Sequence, residues 1–153
     1  MTHELEQNLS LIVQSVAETF LRAQVVPIQP PSDSRAAWPP EALGAVVELD
    51  GTWSGSIRVI GSRRLALQAA MAMFDSPLER LTAADACDAI GELATVIAGN
   101  LKSLAIASIA GESHISPPVV SRSHDAAELG DGAGVSWFLV GGESLVISIT
   151  AHR

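Results

Sequence analysis

The sequence has only one cysteine, Cys87, and few basic side chains. One thiol cannot form a disulfide within the chain, so the sequence is not that of a disulfide-bonded secreted scaffold. Only 9 Lys and Arg residues stand against 17 Asp and Glu residues, and the formal net charge of the 153 residues is −8. Because nucleic-acid phosphates and anionic lipid surfaces attract basic faces, this charge argues against both classes of partner.

Long apolar runs and an export signal are also missing. No run approaches the roughly 18 to 20 apolar residues that a membrane-spanning helix needs. The first residues, MTHELEQ, are polar and acidic, unlike a secretory signal. We therefore expect a cytoplasmic protein with no membrane span. Its composition, 48% hydrophobic and 17% charged, is typical of a folded protein, and its length suits a single domain over residues 1–153.

The familiar catalytic and metal-binding motifs are absent as well. There is no phosphate-binding P-loop and no GxGxxG, and the four histidines form no zinc pattern with Cys87. The acidic segment 122–134 lacks the ligand spacing and terminal glutamate of an EF-hand, so we expect no metal and no cofactor bound by the protein itself. Cys87 falls near the start of a predicted helix, where the dipole favours a thiolate; a small packed residue is the alternative.

The most informative stretch is residues 82–104, TAADACDAIGELATVIAGNLKSL. Thr82 is suited to cap a helix there, with Asp85 near the positive end of the helix. Apolar residues recur at helical spacing and predict a buried stripe: Ile90, Leu93, Ala94, Ile97, Leu101 and Leu104. On the opposite side, steps of four, three and four at about 100° per residue place four residues on one line: Asp88, Glu92, Thr95 and Gly99.

This polar line has two interpretations. A solvated helix face is the simpler one, because most amphipathic helices carry such a face. A binding surface is the alternative, because the line is narrow and consists of two acids, a hydroxyl and a glycine. A glycine inside a helix costs about 1 kcal/mol against alanine, so Gly99 suggests a point of close approach.

The rest of the chain predicts an α+β fold. Residues 27–43 are rich in proline and predict a loop, in which Trp38 is either a lid on the core or a binding anchor. Pro117 and Pro118 confine a strand over residues 114–121 to a sheet edge or a bulge. Other elements follow from periodicity and turn residues: a helix at 4–24, a hairpin at 45–60, a helix at 63–74 capped by Ser62, and a hairpin at 135–151. Because hairpins dominate, we expect a mainly antiparallel sheet with the two long helices on one face.

The segment DAIGELATVIAGNLKSL resembles the signature helix of the CheC/CheX/FliY phosphatases of bacterial chemotaxis, and of CheX-like domains in particular. The family pattern is Asp or Ser, three residues, Glu, two residues and Asn, often followed by a small residue, Gly and Asn. Asp88, Glu92 and residues 98–100 match this pattern, whereas Thr95 occupies the asparagine position. The order of the elements resembles the CheX-like fold across nearly the whole chain.

The resemblance implies a phosphatase for the phospho-aspartate of a CheY-like response regulator, in which Glu92 holds the regulator and residue 95 positions the attacking water. Asp88 and Gly99 would contact the partner, and Mg²⁺ would be supplied by the regulator. Because Thr95 has one hydroxyl on a short, β-branched stem, we expect weak catalysis or none.

Two other hypotheses remain open at this point. One is a CheX-like module that binds a response regulator or signalling partner without hydrolysis, and the other is a structural domain whose sheet edge forms a dimer. We expect a homodimer, because CheX-like proteins often pair and the strand at 144–151 has an apolar face.

Overall fold

A computed structural model describes residues 3–33, 35–51, 54–103, 113–122, 129 and 134–152. Within these residues the chain forms three α-helices and seven β-strands. The helices are α1 (His3–Val16), α2 (Arg63–Phe74) and α3 (Ala83–Leu101). The strands are β1 (Val25–Ile28), β2 (Leu43–Gly51), β3 (Gly55–Gly61), β4 (Ser113–Ile115), β5 (Val119–Arg122), β6 (Val135–Val140) and β7 (Glu143–Ala151).

The strands form one sheet in the order β1-β6-β7-β3-β2-β4, with β5 also paired to β2. Each pairing between described strands is antiparallel. Helix α3 packs across β2 and β3, and both α1 and α2 pack against α3. The predicted α+β fold, with the two long helices on one face of a mainly antiparallel sheet, is therefore confirmed. Among the described residues, no helix is long and apolar enough to cross a membrane.

The first helix is shorter than the predicted span of 4–24. Helix α1 ends at Val16, and a π-helical turn, Ala17–Leu21, carries the chain to Arg22, which adopts a left-handed conformation with φ 49°. Strand β1 then begins at Val25 and includes Pro27. The loop predicted from residue 27 was wrong for its first two residues, Pro27 and Ile28, which belong to β1. Proline is tolerated there because β1 is an edge strand, where a missing N–H group breaks no hydrogen bond inside the sheet.

The strand predicted over 114–121 is two short strands separated by Pro117 and Pro118. Both β4 and β5 pair with β2 at the edge of the sheet, as the two prolines predicted. Ser116 bridges the break: its N–H donates to Glu48 O at 2.9 Å, and its Oγ accepts from Glu48 N at 2.9 Å. The prolines therefore interrupt the ladder without detaching the segment from the sheet.

The face of the sheet opposite the helices has its own small apolar cluster around Ile60, Trp137 and Val146. Trp38, from the proline-rich segment, packs on this cluster, and its ring meets that of Trp137 edge to face with centroids 6.0 Å apart. Trp38 therefore acts as a lid on the core, which is the first of its two predicted roles.

Strand β7 lies inside the sheet, between β6 and β3. Its apolar face, formed by Leu145, Ile147 and Ile149, is buried in the main core. The apolar face of residues 144–151 is therefore used within one copy of the chain and offers no surface for pairing. The homodimer stays a prediction, but the apolar face of β7, which motivated it, is not available to a second copy.

Candidate functional site

Helix α3 is held in place at its start and along one side. At its N-terminus, Asp85 N donates to Thr82 Oγ1 at 3.3 Å and Thr82 N donates to Asp85 Oδ2 at 2.8 Å, which completes a capping box. Five residues of the predicted apolar stripe are buried: Ile90, Leu93, Ala94, Ile97 and Leu101. Leu104, the sixth, lies outside the described residues. The opposite side of the helix therefore has a defined position and direction.

The four residues of the predicted polar line lie on that opposite side. Asp88 and Glu92 are exposed, whereas Thr95 and Gly99 are half-buried. Neither carboxylate forms an ion pair or a side-chain hydrogen bond with any residue that the structure describes. The two acids are thus available to a partner and serve no visible structural role.

An open groove of about 800 Å³ runs beside this line. Asp88, Glu92 and Thr95 line one side of it, whereas Gly99 is not among its lining residues. The other walls come from distant parts of the chain: Phe20 of the π-helical turn, Met73 and Phe74 of α2, Pro118 before β5, and Val120 of β5. The tertiary structure therefore converts a line on one helix into a concave surface built from four elements.

The hydroxyl of Thr95 is engaged by its own helix. Thr95 Oγ1 donates to Gly91 O, one turn earlier, at 3.0 Å, a bond that is common for threonine inside a helix. Since a hydroxyl has one proton, only the lone pairs of Oγ1 remain, and these can accept a hydrogen bond from water but cannot donate one. This spacing could have been recognised from the sequence, because Gly91 lies four residues before Thr95.

Asn100 does not provide the missing carboxamide. Its Nδ2 donates to Val96 O at 2.9 Å, and the residue does not line the groove. The resemblance also places Asn100 in the trailing segment of the pattern, apart from the position that Thr95 occupies. Among the described residues that line the groove, none therefore supplies a carboxamide beside Glu92.

Within the described part of the chain, the glycine at which another segment approaches α3 is Gly91 and not Gly99. Contact of Gly99 with a partner stays a prediction. A Cβ added at Gly91 would lie 3.2 Å from Pro118 Cγ and 3.2 Å from Val120 Cγ2. A Cβ added at Gly99 would meet no atom of the described residues within 4 Å. Gly91 thus lets the segment around Pro118 pack on α3 and form a wall of the groove directly beside Glu92.

Cys87 lies between this groove and a second cavity of about 460 Å³, which Arg63 and Arg122 also line. It is half-buried and packs against the main core, in agreement with its interpretation as a small packed residue. Among the described residues, no group of three or more His, Cys, Asp or Glu side chains could hold a metal ion. Most of the acidic segment 122–134 lies outside those residues.

Known proteins resemble this chain in sequence pattern and in fold. A family model described as chemotaxis phosphatase CheX matches residues 43–136, more than half of the chain. No curated protein matches the sequence significantly.

Solved structures match nearly the whole chain. A CheC-like superfamily protein from Shewanella sp. PV-4 is 18% identical with a TM-score of 0.74, each chain being covered to 100%. The chemotaxis protein CheX from Vibrio vulnificus is 17% identical with a TM-score of 0.72, each chain being covered to 97%. A chain of the CheX–CheY–BeF₃–Mg²⁺ complex from Borrelia burgdorferi is 16% identical with a TM-score of 0.68, at 97% coverage of this chain and 98% of that one. At these identities, the likeness to solved structures shows the fold alone.

Proposed function

This chain belongs to the CheX family of chemotaxis phosphatases, and from that membership we propose that it binds the phosphorylated receiver domain of a CheY-like response regulator and removes the phosphoryl group slowly. The observation that carries the proposal is the position of Glu92. It is exposed and unpaired among the described residues, and it lies beside Asp88 in a groove large enough to receive part of another protein.

Electrostatics supports such a partner. Two carboxylates one helical turn apart attract a cation, and in this proposal the regulator supplies one beside its phospho-aspartate. The solved complex of CheX with CheY, BeF₃ and Mg²⁺ from Borrelia burgdorferi supports a CheY-like protein as the partner of this fold. In this proposal Glu92 and Asp88 bind the regulator, and Mg²⁺ enters with the regulator.

The chemistry demands little of the protein. Water attacks phosphorus in line with the bond to the aspartate oxygen; that bond breaks, inorganic phosphate leaves and the aspartate carboxylate is restored. Such a reaction is accelerated mainly by the positioning of the water and by electrostatic complementarity. Thr95 Oγ1 can accept a hydrogen bond from this water but cannot donate to a phosphoryl oxygen, because its proton is bonded to Gly91 O. We therefore propose slow hydrolysis.

The second candidate function is a module that binds the regulator without hydrolysis. The hydrogen bond from Thr95 to Gly91 favours it, because a side chain that is satisfied within its own helix is poorly placed to orient a water. Both candidates share the docking surface and differ only in the chemical step.

One experiment separates them. A CheY-like receiver domain is phosphorylated with acetyl phosphate, and phosphate release is followed with and without this protein. In parallel, binding is measured with the receiver loaded with Mg²⁺ and BeF₃, which stands in for the phosphoryl group. We expect a small acceleration by the wild type. We also expect roughly tenfold or greater loss of affinity in Glu92→Ala, since truncating one member of a charge pair leaves the other unpaired.

Glu4→Ala is the matched control, because it removes the same charge from the exposed first turn of α1, outside the groove. Binding without acceleration would select the module that does not hydrolyse. If neither binding nor acceleration is detected with any receiver, the chain shares only the fold of the family and the proposal is rejected.

A further inference from the structure

The groove beside α3 has an apolar wall that the docking of Glu92 does not explain. The chain contains three phenylalanines, and two of them, Phe20 and Phe74, line this groove. The third, Phe138, is buried in the main core. Phe74 is 44% exposed, and together with Phe20 and Met73 it adds apolar surface to the groove.

Phe74 is held at the rim by the end of its helix. Helix α2 ends at this residue because Asp75 adopts a left-handed conformation with φ 47°, and the N–H of Asp75 donates to Met71 O. Next to it, Met73 is half-buried, packs against the core and also lines the groove. The backbone at Phe74 is therefore fixed by the end of α2, although the core cluster does not include the aromatic ring.

The groove side of α3 carries the opposite chemistry. Asp88 and Glu92 line it, and the described residues that line the groove include no Lys, Arg or His. A complementary occupant has a cation directed at the two carboxylates and an uncharged, apolar surface next to it, directed at Phe74. Such a mixed surface differs from a purely basic peptide, which would leave the apolar wall unsatisfied.

We propose that Phe74, supported by Phe20 and Met73, is a specificity-determining contact for the receiver domain: it packs on apolar side chains of the receiver that flank the cation bound by Asp88 and Glu92. The inference rests on the proposed function, since it adds an apolar contact to the acidic one on the same docking surface. Aromatic residues at the centre of a desolvated contact often contribute most of the binding free energy, whereas exposed charge pairs mainly select and steer the partner.

The test uses the full chain and a CheY-like receiver domain loaded with BeF₃ and Mg²⁺, with affinity measured by calorimetry at several salt concentrations. Phe74→Ala should weaken binding roughly tenfold, and Phe74→Leu should recover most of the loss. Leu11→Ala is the matched control, because Leu11 is also apolar, is 62% exposed and does not line the groove. Phe74→Ala should leave the salt dependence of binding unchanged, whereas Glu92→Gln should reduce it.

The outcomes distinguish the inference from the function on which it rests. Wild-type affinity in Phe74→Ala, together with weak binding in Glu92→Ala, would overturn the inference and leave the docking proposal standing. Absence of binding by the wild-type protein would reject both. If Phe74→Ala converts a dimer to a monomer in sedimentation and leaves receiver binding unchanged, a second copy of this chain occupies the wall and the inference is wrong.

Discussion

The buried side of α3 and its groove side differ in what accounts for the type of residue at each position. On the buried side, Ile90, Leu93 and Ile97 belong to a core cluster that joins all three helices to the sheet. On the groove side, Asp88 and Glu92 are exposed and unpaired among the described residues. Packing explains the first set, whereas no contact within the described part of the chain explains the second. Changes on the two sides should therefore alter different measured quantities.

Two residues lie at the boundary between these sides and belong partly to each. Gly91 is buried and receives the segment around Pro118, and Thr95 is half-buried and donates its hydroxyl proton to Gly91 O. The chemical capacity of the groove is limited at this boundary, because the hydroxyl of Thr95, which lines the groove together with Glu92, already has a backbone partner. The predictions below test the contrast between the two sides and this boundary.

The largest effect is expected on the buried side. Ile90→Ala should lower the free energy of unfolding by about 2–5 kcal/mol, since it removes buried methylene groups and leaves a cavity, and the side chain is fully buried. Glu92→Ala, two residues along the helix, should change the same quantity by only about 0.5 kcal/mol or less. Urea denaturation of both variants measures the contrast. Equal losses would mean that the groove side is structural after all.

The next largest effect concerns the boundary. Thr95→Asn should increase the rate of receiver dephosphorylation at least about tenfold, because a carboxamide reaches farther into the groove and offers both a donor and an acceptor for positioning water. Thr95→Val keeps the shape without the hydroxyl and should be no faster than the wild type. Glu92→Ala added to Thr95→Asn should abolish the gain. A fully active wild type that Thr95→Asn leaves unchanged or slows would identify Thr95 as a working catalytic residue.

A smaller loss of stability is expected at the capped end of the helix. Thr82→Ala should lower the free energy of unfolding by about 1 kcal/mol, because it removes the acceptor for Asp85 N. Thr19→Ala is a useful control, since the Thr19 hydroxyl donates to Ser15 O within its own helical segment and caps nothing. Thermal unfolding compares the two variants, and receiver binding should be unaffected in both. A larger loss in Thr19→Ala would contradict the distinction between the two threonines.

The smallest effect has the opposite sign. Gly99→Ala should raise the free energy of unfolding by about 0.5–1 kcal/mol, because the added methyl group meets no atom within 4 Å in the part of the chain that the structure describes and alanine favours the helix. Gly91→Ala should give no such gain, since its Cβ would lie 3.2 Å from Pro118 and Val120. Denaturation curves for both variants measure the difference in their free energies of unfolding. A gain in Gly91→Ala equal to that in Gly99→Ala would show that the approach of Pro118 is not tight.

Much of the fold was predictable because it depends on short-range interactions. The caps at Thr82 and Ser62 use acceptors within three residues: Ser62 Oγ accepts from Leu65 N at 3.0 Å. The tight turn between β6 and β7 uses Gly141 and Gly142, both at positive φ. The edge strand β1 was missed because proline argues for a loop, and only its pairing with β6 reveals the strand.

Local sequence accounts for α3, its buried stripe and its line of polar residues, because helical periodicity and end capping act within one or two turns. Packing between distant segments places Phe20, Phe74 and Pro118 beside this line. These residues belong to elements far apart in the chain, and their positions follow from how the helices and β5 pack on the sheet, which no local spacing encodes. The sequence therefore predicts which side of the helix a partner would contact, and packing determines the shape and the apolar character of the groove on that side.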